Sequence, residues 1–194
     1  MTATDFLDIR GCRGPCSYCQ SGQLDKLGIH DSRCKKIWSV IHNRVRDDLF
    51  VLLKRANLDA RKEVADLFRD GTEDRPADIL LSHPTGKSVC LDLSCISYDV
   101  LNGLHKRDAD KIKKYGIRCE QVNLDFVPLS FNSLGAISDP FRQFLKSVAR
   151  SISDLSTSST DSALANTIQA IQFSIIRVIS ESIHDRVAND LVCV

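Results

Sequence analysis

The chain has 194 residues, 43% of them hydrophobic and 26% charged, with a formal net charge of +1 at pH 7. That length holds one core of ordinary size and a small appendage, and the composition excludes an intrinsically disordered chain. The near-neutral balance excludes a global basic field, so any nucleic-acid contact must use local clusters such as Arg33 to Lys36, Lys54-Arg55, Lys106-Arg107 and Lys111 to Lys114.

The first residues carry no basic segment followed by an apolar run, so no signal or transit peptide is expected. No apolar stretch approaches the ~20 residues of a membrane span, which predicts an intracellular chain with no membrane partner. Eight cysteines in such a chain point to thiols or metal ligands over disulfides. Cys90, Cys95 and Cys119 lie in or beside apolar runs and read as small buried hydrophobes.

In chain order, residues 10–34 are rich in Gly, Cys, Ser and Asp and cannot build a core alone, so a metal is the expected organiser. Residues 35–56 read as an amphipathic helix with Ile37, Ile41, Val45, Leu49, Leu52 and Ala56 on one stripe and Asn57 as its stop. Strands are expected over 63–68, 77–82 and 88–96, separated by the turns Arg69-Asp70-Gly71-Thr72 and His83 to Lys87. Lys106 to Tyr115 reads as a helix stopped by Gly116, and 122–131 as a fourth strand. A helix is expected after Asp139-Pro140, carrying Phe141, Phe144, Leu145 and Val148. A Ser/Thr/Asp linker at 151–161 precedes a long apolar-striped helix through Leu164, Ile168, Ile171, Ile175, Val178, Ile179, Ile183 and Val187. That helix is roughly 40 Å long, leaving both packing across the domain and homodimerisation through 162–190 open. The expected organisation is a 1–34 zinc segment, a 35–150 α/β domain, the linker, and a 162–194 helix.

Two groups of residues carry chemistry. Cys16-x2-Cys19 and His30-x3-Cys34 have the spacing of a closed, structural zinc site of mixed thiolate and imidazole ligands. A rival is Cys12-x3-Cys16-x2-Cys19, the cluster motif of radical S-adenosylmethionine enzymes; it leaves His30 and Cys34 unexplained, and it calls for a strand–helix barrel that this pattern lacks. The second group is Asp78, Asp92 and Lys111. Asp78 opens one apolar strand and Asp92 sits inside the next, where a carboxylate is costly unless paired or metal-bound. If those strands pair, both acids reach one Mg²⁺ or Mn²⁺, and a lysine beside it stabilises developing charge: a minimal kit for cutting a phosphodiester.

This arrangement resembles the PD-(D/E)XK nuclease superfamily, whose core is a helix, a three-strand meander, a helix and a further strand. The ordered set narrows the resemblance: Cys-x2-Cys, Asp25-Lys26-Leu27-Gly28, His-x3-Cys, His42-Asn43 with Arg46, Arg75-Pro76-Ala77-Asp78, Leu91-Asp92-Leu93-Ser94 and Lys111-x-x-Lys114-Tyr115. From Cys16 to Leu129 it is similar to the restriction-like endonuclease region of site-specific non-LTR retrotransposons and related reverse-transcriptase proteins. The resemblance implies a nuclease that nicks target DNA to prime reverse transcription, with element RNA and a reverse transcriptase as partners and a nuclear site of action. It implies zinc on Cys16, Cys19, His30 and Cys34, a catalytic metal on Asp78 and Asp92, Lys111 as the catalytic lysine with Lys114 beside it, and Glu63 near the metal through water. Ser94 stands where the superfamily's common form has its lysine, so the lysine comes from the following helix. The alternative expectation is a remnant that keeps the fold and binds nucleic acid without cutting.

Overall fold

The computed structural model describes residues 16, 19–20, 30, 33–64, 67–68, 76–83, 86–97, 102–156 and 159–192. The first long element is helix α1, Lys35–Arg55. Its apolar residues recur every four positions, and the buried set is Ile37, Ile41, Val45, Leu49 and Leu53. The sequence stripe is therefore right except at its end, where Leu53 takes the buried position expected of Leu52, which is only partly buried. Asn57 adopts a left-handed φ of 57° just beyond the helix, a conformation Asn tolerates, and so ends it as expected.

Three short antiparallel strands follow: β1 (Ala60–Lys62), β2 (Ile79–Leu81) and β3 (Ser88–Ile96). Pairing occurs at Ala60–Lys62, and Glu63 turns the chain out with a φ of 50°; of the expected strand at 63–68, residues 63–64 and 67–68 are not strand and 65–66 lie outside the described residues. Of the two expected turns, 69–72 lies outside the described residues, as do positions 84–85 of the second.

Helix α2 (Gly103–Lys111) runs through a π-helical segment (Ile112–Gly116) into α3 (Ile117–Gln121). Gly116 therefore does not stop the helix; its φ of −55° is ordinary helix, and the chain runs on through the π turn. β4 (Leu124–Asn132) then lies parallel to β3, completing a four-stranded sheet of order β1-β2-β3-β4. Since β4 follows β3 in the same direction, the crossover must carry a helix, and α2 and α3 are that helix.

α4 (Asp139–Asp154) starts with Ser138 as N-cap and Pro140 in its first turn, and its buried Phe141, Leu145 and Val148 match expectation. The expected linker shortens, because residues 151–154 belong to α4 and the next helix, α5 (Thr160–Val192), already starts at Thr160. α5 packs on α1 and α4.

The main hydrophobic core joins the N-terminal segment, the α/β domain and the last helix. It contains Cys16 and Cys34, the α1 stripe, Leu91 and Leu93 of β3, Leu129 and Phe131 of β4, Phe141 and Leu145 of α4, and Ile171 and Ile175 of α5. Packing across the domain is thus the role of the first half of α5. A smaller cluster around Cys90, Tyr115 and Cys119 fills the opposite sheet face under the π segment. No helix among the described residues is long and apolar enough to cross a membrane.

Candidate functional site

Two groups of side chains gather around the first half of α1. At its start, one ligand atom from each of Cys16, Cys19, His30 and Cys34 lies within 4.8 Å of every other. The Cys16 and Cys34 sulfurs are 3.9 Å apart, and Cys19 Sγ is 3.4 Å from His30 Nε2. A tetrahedral zinc with Zn–S of about 2.3 Å and Zn–N of about 2.0 Å requires edges of about 3.8 and 3.5 Å, so the donor spacing fits a metal ion such as zinc. Cys16 and Cys34 are buried within the main core. Burial raises the Cys34 thiol pKa, and the Cys16 thiol beside it adds to the rise. A cation among the four donors reverses that balance, because the liganding form is the thiolate. Cys12, the third cysteine of the rival motif, lies outside the described residues, whereas Cys16 and Cys19 sit with His30 and Cys34.

The second group lies where α1, the sheet and α2 meet. β2 pairs with β3 through Ile79 opposite Leu91, so continuing the antiparallel register sets Asp78 across from Asp92. Asp78 is fixed three ways. Its own N–H donates to Leu91 O at 2.9 Å, its Oδ2 accepts from the Leu93 N–H at 2.6 Å, and His42 Nε2 of α1 lies 3.2 Å from the same oxygen. Asp92, 5% exposed, lies beneath α2, and Lys111 Nζ sits 3.0 and 2.7 Å from its two oxygens. The fold therefore brings together the three residues singled out from sequence.

Charge explains the titration of this group. Burial pushes the Asp92 carboxyl above the usual carboxylate range; Lys111 pulls it back, and the negative charge of Asp78 raises it further. Burial alone would lower the His42 imidazole, but the Asp78 carboxylate more than offsets it, and the net shift is upward. Cys95 lines the same cleft and is pushed up to about 12 by burial, so it is a neutral thiol and no nucleophile near pH 7. The cleft has a volume of about 520 Å³, and Lys35, His42, Asp78, Asp92, Arg107 and Lys111 are among its walls.

Two expected site residues are placed elsewhere. The Glu63 carboxylate pairs with Arg46, half-exposed and outside the cleft walls, although its backbone N–H donates to Asp78 O at 3.0 Å. Lys114 Nζ donates to Tyr115 Oη at 2.7 Å and lies over the Tyr115 ring at 4.6 Å, contacts that hold the buried tyrosine. His42 moves the other way: in the sequence it is only part of the His42-Asn43 motif, and the structure pairs it with Asp78. The signal was present only as His42 lying off the apolar stripe of α1, and 36 residues of chain separate it from its partner.

What the arrangement offers chemically is a pair of facing carboxylates, one buried, with an ammonium between α2 and the sheet. Two or more such oxygens in an open cleft suit a hard divalent cation. A comparison of the chain with protein-family models gives no match, and a search of curated proteins gives none either.

Proposed function

We propose that this protein is a metal-dependent DNA endonuclease of the restriction-endonuclease-like type found in non-LTR retrotransposons, nicking DNA to leave a 3′ end for reverse transcription. The observation that carries the reading is the convergence of Asp78, Asp92 and Lys111 on one cleft. The sequence of elements supports it: a helix, three antiparallel strands, a crossover helix and a strand parallel to the third.

Asp78 and Asp92 would hold Mg²⁺ or Mn²⁺, which supplies polarisation of the phosphate and a bound water of lowered pKa. The protein's own contribution is orientation and charge. His42 and the Leu93 N–H fix the rotamer of Asp78, as partners of metal-binding carboxylates do. Lys111, once released from Asp92, presents a cation to the phosphate or the attacking water. Arg107, one turn earlier on α2, adds a second positive charge on the cleft wall for the DNA backbone. Zinc on Cys16, Cys19, His30 and Cys34 would tie the N-terminal segment to the start of α1 and so steady the helix that carries His42.

A second reading, a nucleic-acid-binding remnant that no longer cuts, has one observation in its favour: Lys111 forms an ion pair with Asp92 without any metal. The test is incubation of supercoiled plasmid with zinc-loaded protein and Mg²⁺ or Mn²⁺. The endonuclease gives nicked circles whose 3′ ends a DNA polymerase extends, and EDTA abolishes them. DNA binding without nicking identifies the remnant.

A further inference from the structure

We propose a second divalent-cation site, built around Asp108 and distinct from both groups described above. A cavity of about 320 Å³ opens at the far ends of β3 and β4, between the starts of α2 and α4. Asp108, Asp139, His105, Ser97 and Asn132 are among its walls, and no lysine or arginine is, among the described residues. Asp108 is only 4% exposed, yet neither of its carboxylate oxygens has a hydrogen-bond partner. Such a carboxylate is unstable unless something positive reaches it, because buried charges are paired or coordinate metals.

The sign of the ligand follows from counting charge. Asp108 and Asp139 bring two negative charges to the cavity, while the two helix starts bring about half a positive charge each. The cavity therefore remains negative and selects a cation. The lining offers oxygen donors in the main, which suits Mg²⁺ or Mn²⁺ over softer ions. Magnesium holds most of its water and takes only one or two protein carboxylates. Five waters at about 30 Å³ each occupy about 150 Å³, so the partly hydrated ion fits the cavity, with the Asp108 carboxylate turning toward it to replace the sixth water. A cation there would pin the start of α2 against the start of α4. Asp108 and Lys111 lie three residues apart on α2, so the site sits on the same helix as the lysine that covers Asp92.

This inference stands apart from the nuclease reading, and the experiment separates them. The zinc-loaded full chain is titrated with Mn²⁺ and free ion is followed by electron paramagnetic resonance, using Asp92→Asn to remove the cleft site. Asp92→Asn is expected to bind one Mn²⁺ per chain, and adding Asp108→Asn is expected to abolish that binding. Adding Asp139→Asn instead is expected to weaken it about tenfold, which keeps the test available should the Asp108 variant not fold. Asp92→Asn chains that bind no Mn²⁺ overturn the proposal, as do Asp92→Asn/Asp108→Asn chains that still bind it. Failure of the nuclease reading appears elsewhere, as absence of nicking by the wild type.

Discussion

Asp78 depends on His42 more than on any other side chain described, and that dependence is testable in two ways. As the partner that orients a metal-binding carboxylate, His42 should matter for metal use: His42→Ala is expected to lower nicking about 10- to 100-fold, in line with the usual cost of losing such a partner. Most of that loss should return at high Mg²⁺, because the defect is in holding the ion, and a titration of nicking rate against Mg²⁺ reads it. Stability should report the same pair. The imidazole pKa is raised in the folded state, so its contribution is fully present below the unfolded value of about 6.5 and is lost as pH rises through the folded pKa. The difference in melting temperature between wild type and His42→Ala, without Mg²⁺, should therefore be largest near pH 5.5 and shrink by pH 8.5. A gap that widens with pH would contradict the pairing.

Among the elements, the segment leading into α1 makes the strongest demand, because Cys16 and Cys34 belong to the main core yet are preceded by chain too polar to pack alone. Stripping the metal with a chelator should lower the melting temperature by at least ~5 °C, corresponding to a loss of a few kcal/mol for a chain of this size. Differential scanning fluorimetry with and without chelator, followed by zinc addition, measures this; an unchanged melting temperature would exclude a structural metal. How much of these elements was legible varies with the physics behind each. The α1 stripe was readable because a four-residue repeat needs no tertiary information. Asp92 was readable because an acid inside an apolar strand demands a partner. β1 was misplaced because three residues are too few to show alternation. The run through Gly116 was hidden because a π turn is not encoded by glycine content. The His42–Asp78 contact and the lone Asp108 exist only once distant segments are folded together, and no local pattern foretells them.

For the molecule as a whole, a net charge of +1 means that the proposed DNA substrate would have to be attracted by a local field. Lys35, Arg107 and Lys111 line the cleft around Asp78 and Asp92, so positive charge is concentrated where the backbone would be cut. Binding should weaken as salt rises, with a slope set by the few phosphates neutralised. Arg107→Ala is expected to reduce that log–log slope by about one and to weaken binding uniformly across sequences; fluorescence anisotropy with labelled duplexes between 50 and 200 mM salt checks it. An unchanged slope would place the DNA elsewhere on the protein. The main core also has a consequence of form: residues of α5 are buried with those of α1 and β3, so these elements pack together beside the cleft.

The most direct measurement is plasmid nicking by wild type and Asp92→Asn at matched zinc content, each with Mg²⁺, Mn²⁺ or EDTA. Asn keeps the shape of the side chain while removing the charge that pairs with Lys111 and for which the proposed metal would compete. The account expects metal-dependent nicking by wild type that falls at least about a thousandfold in the variant, a loss of about 4 kcal/mol in transition-state stabilisation. Equal nicking by the two proteins, or none by a folded, zinc-loaded wild type that binds DNA, would contradict it.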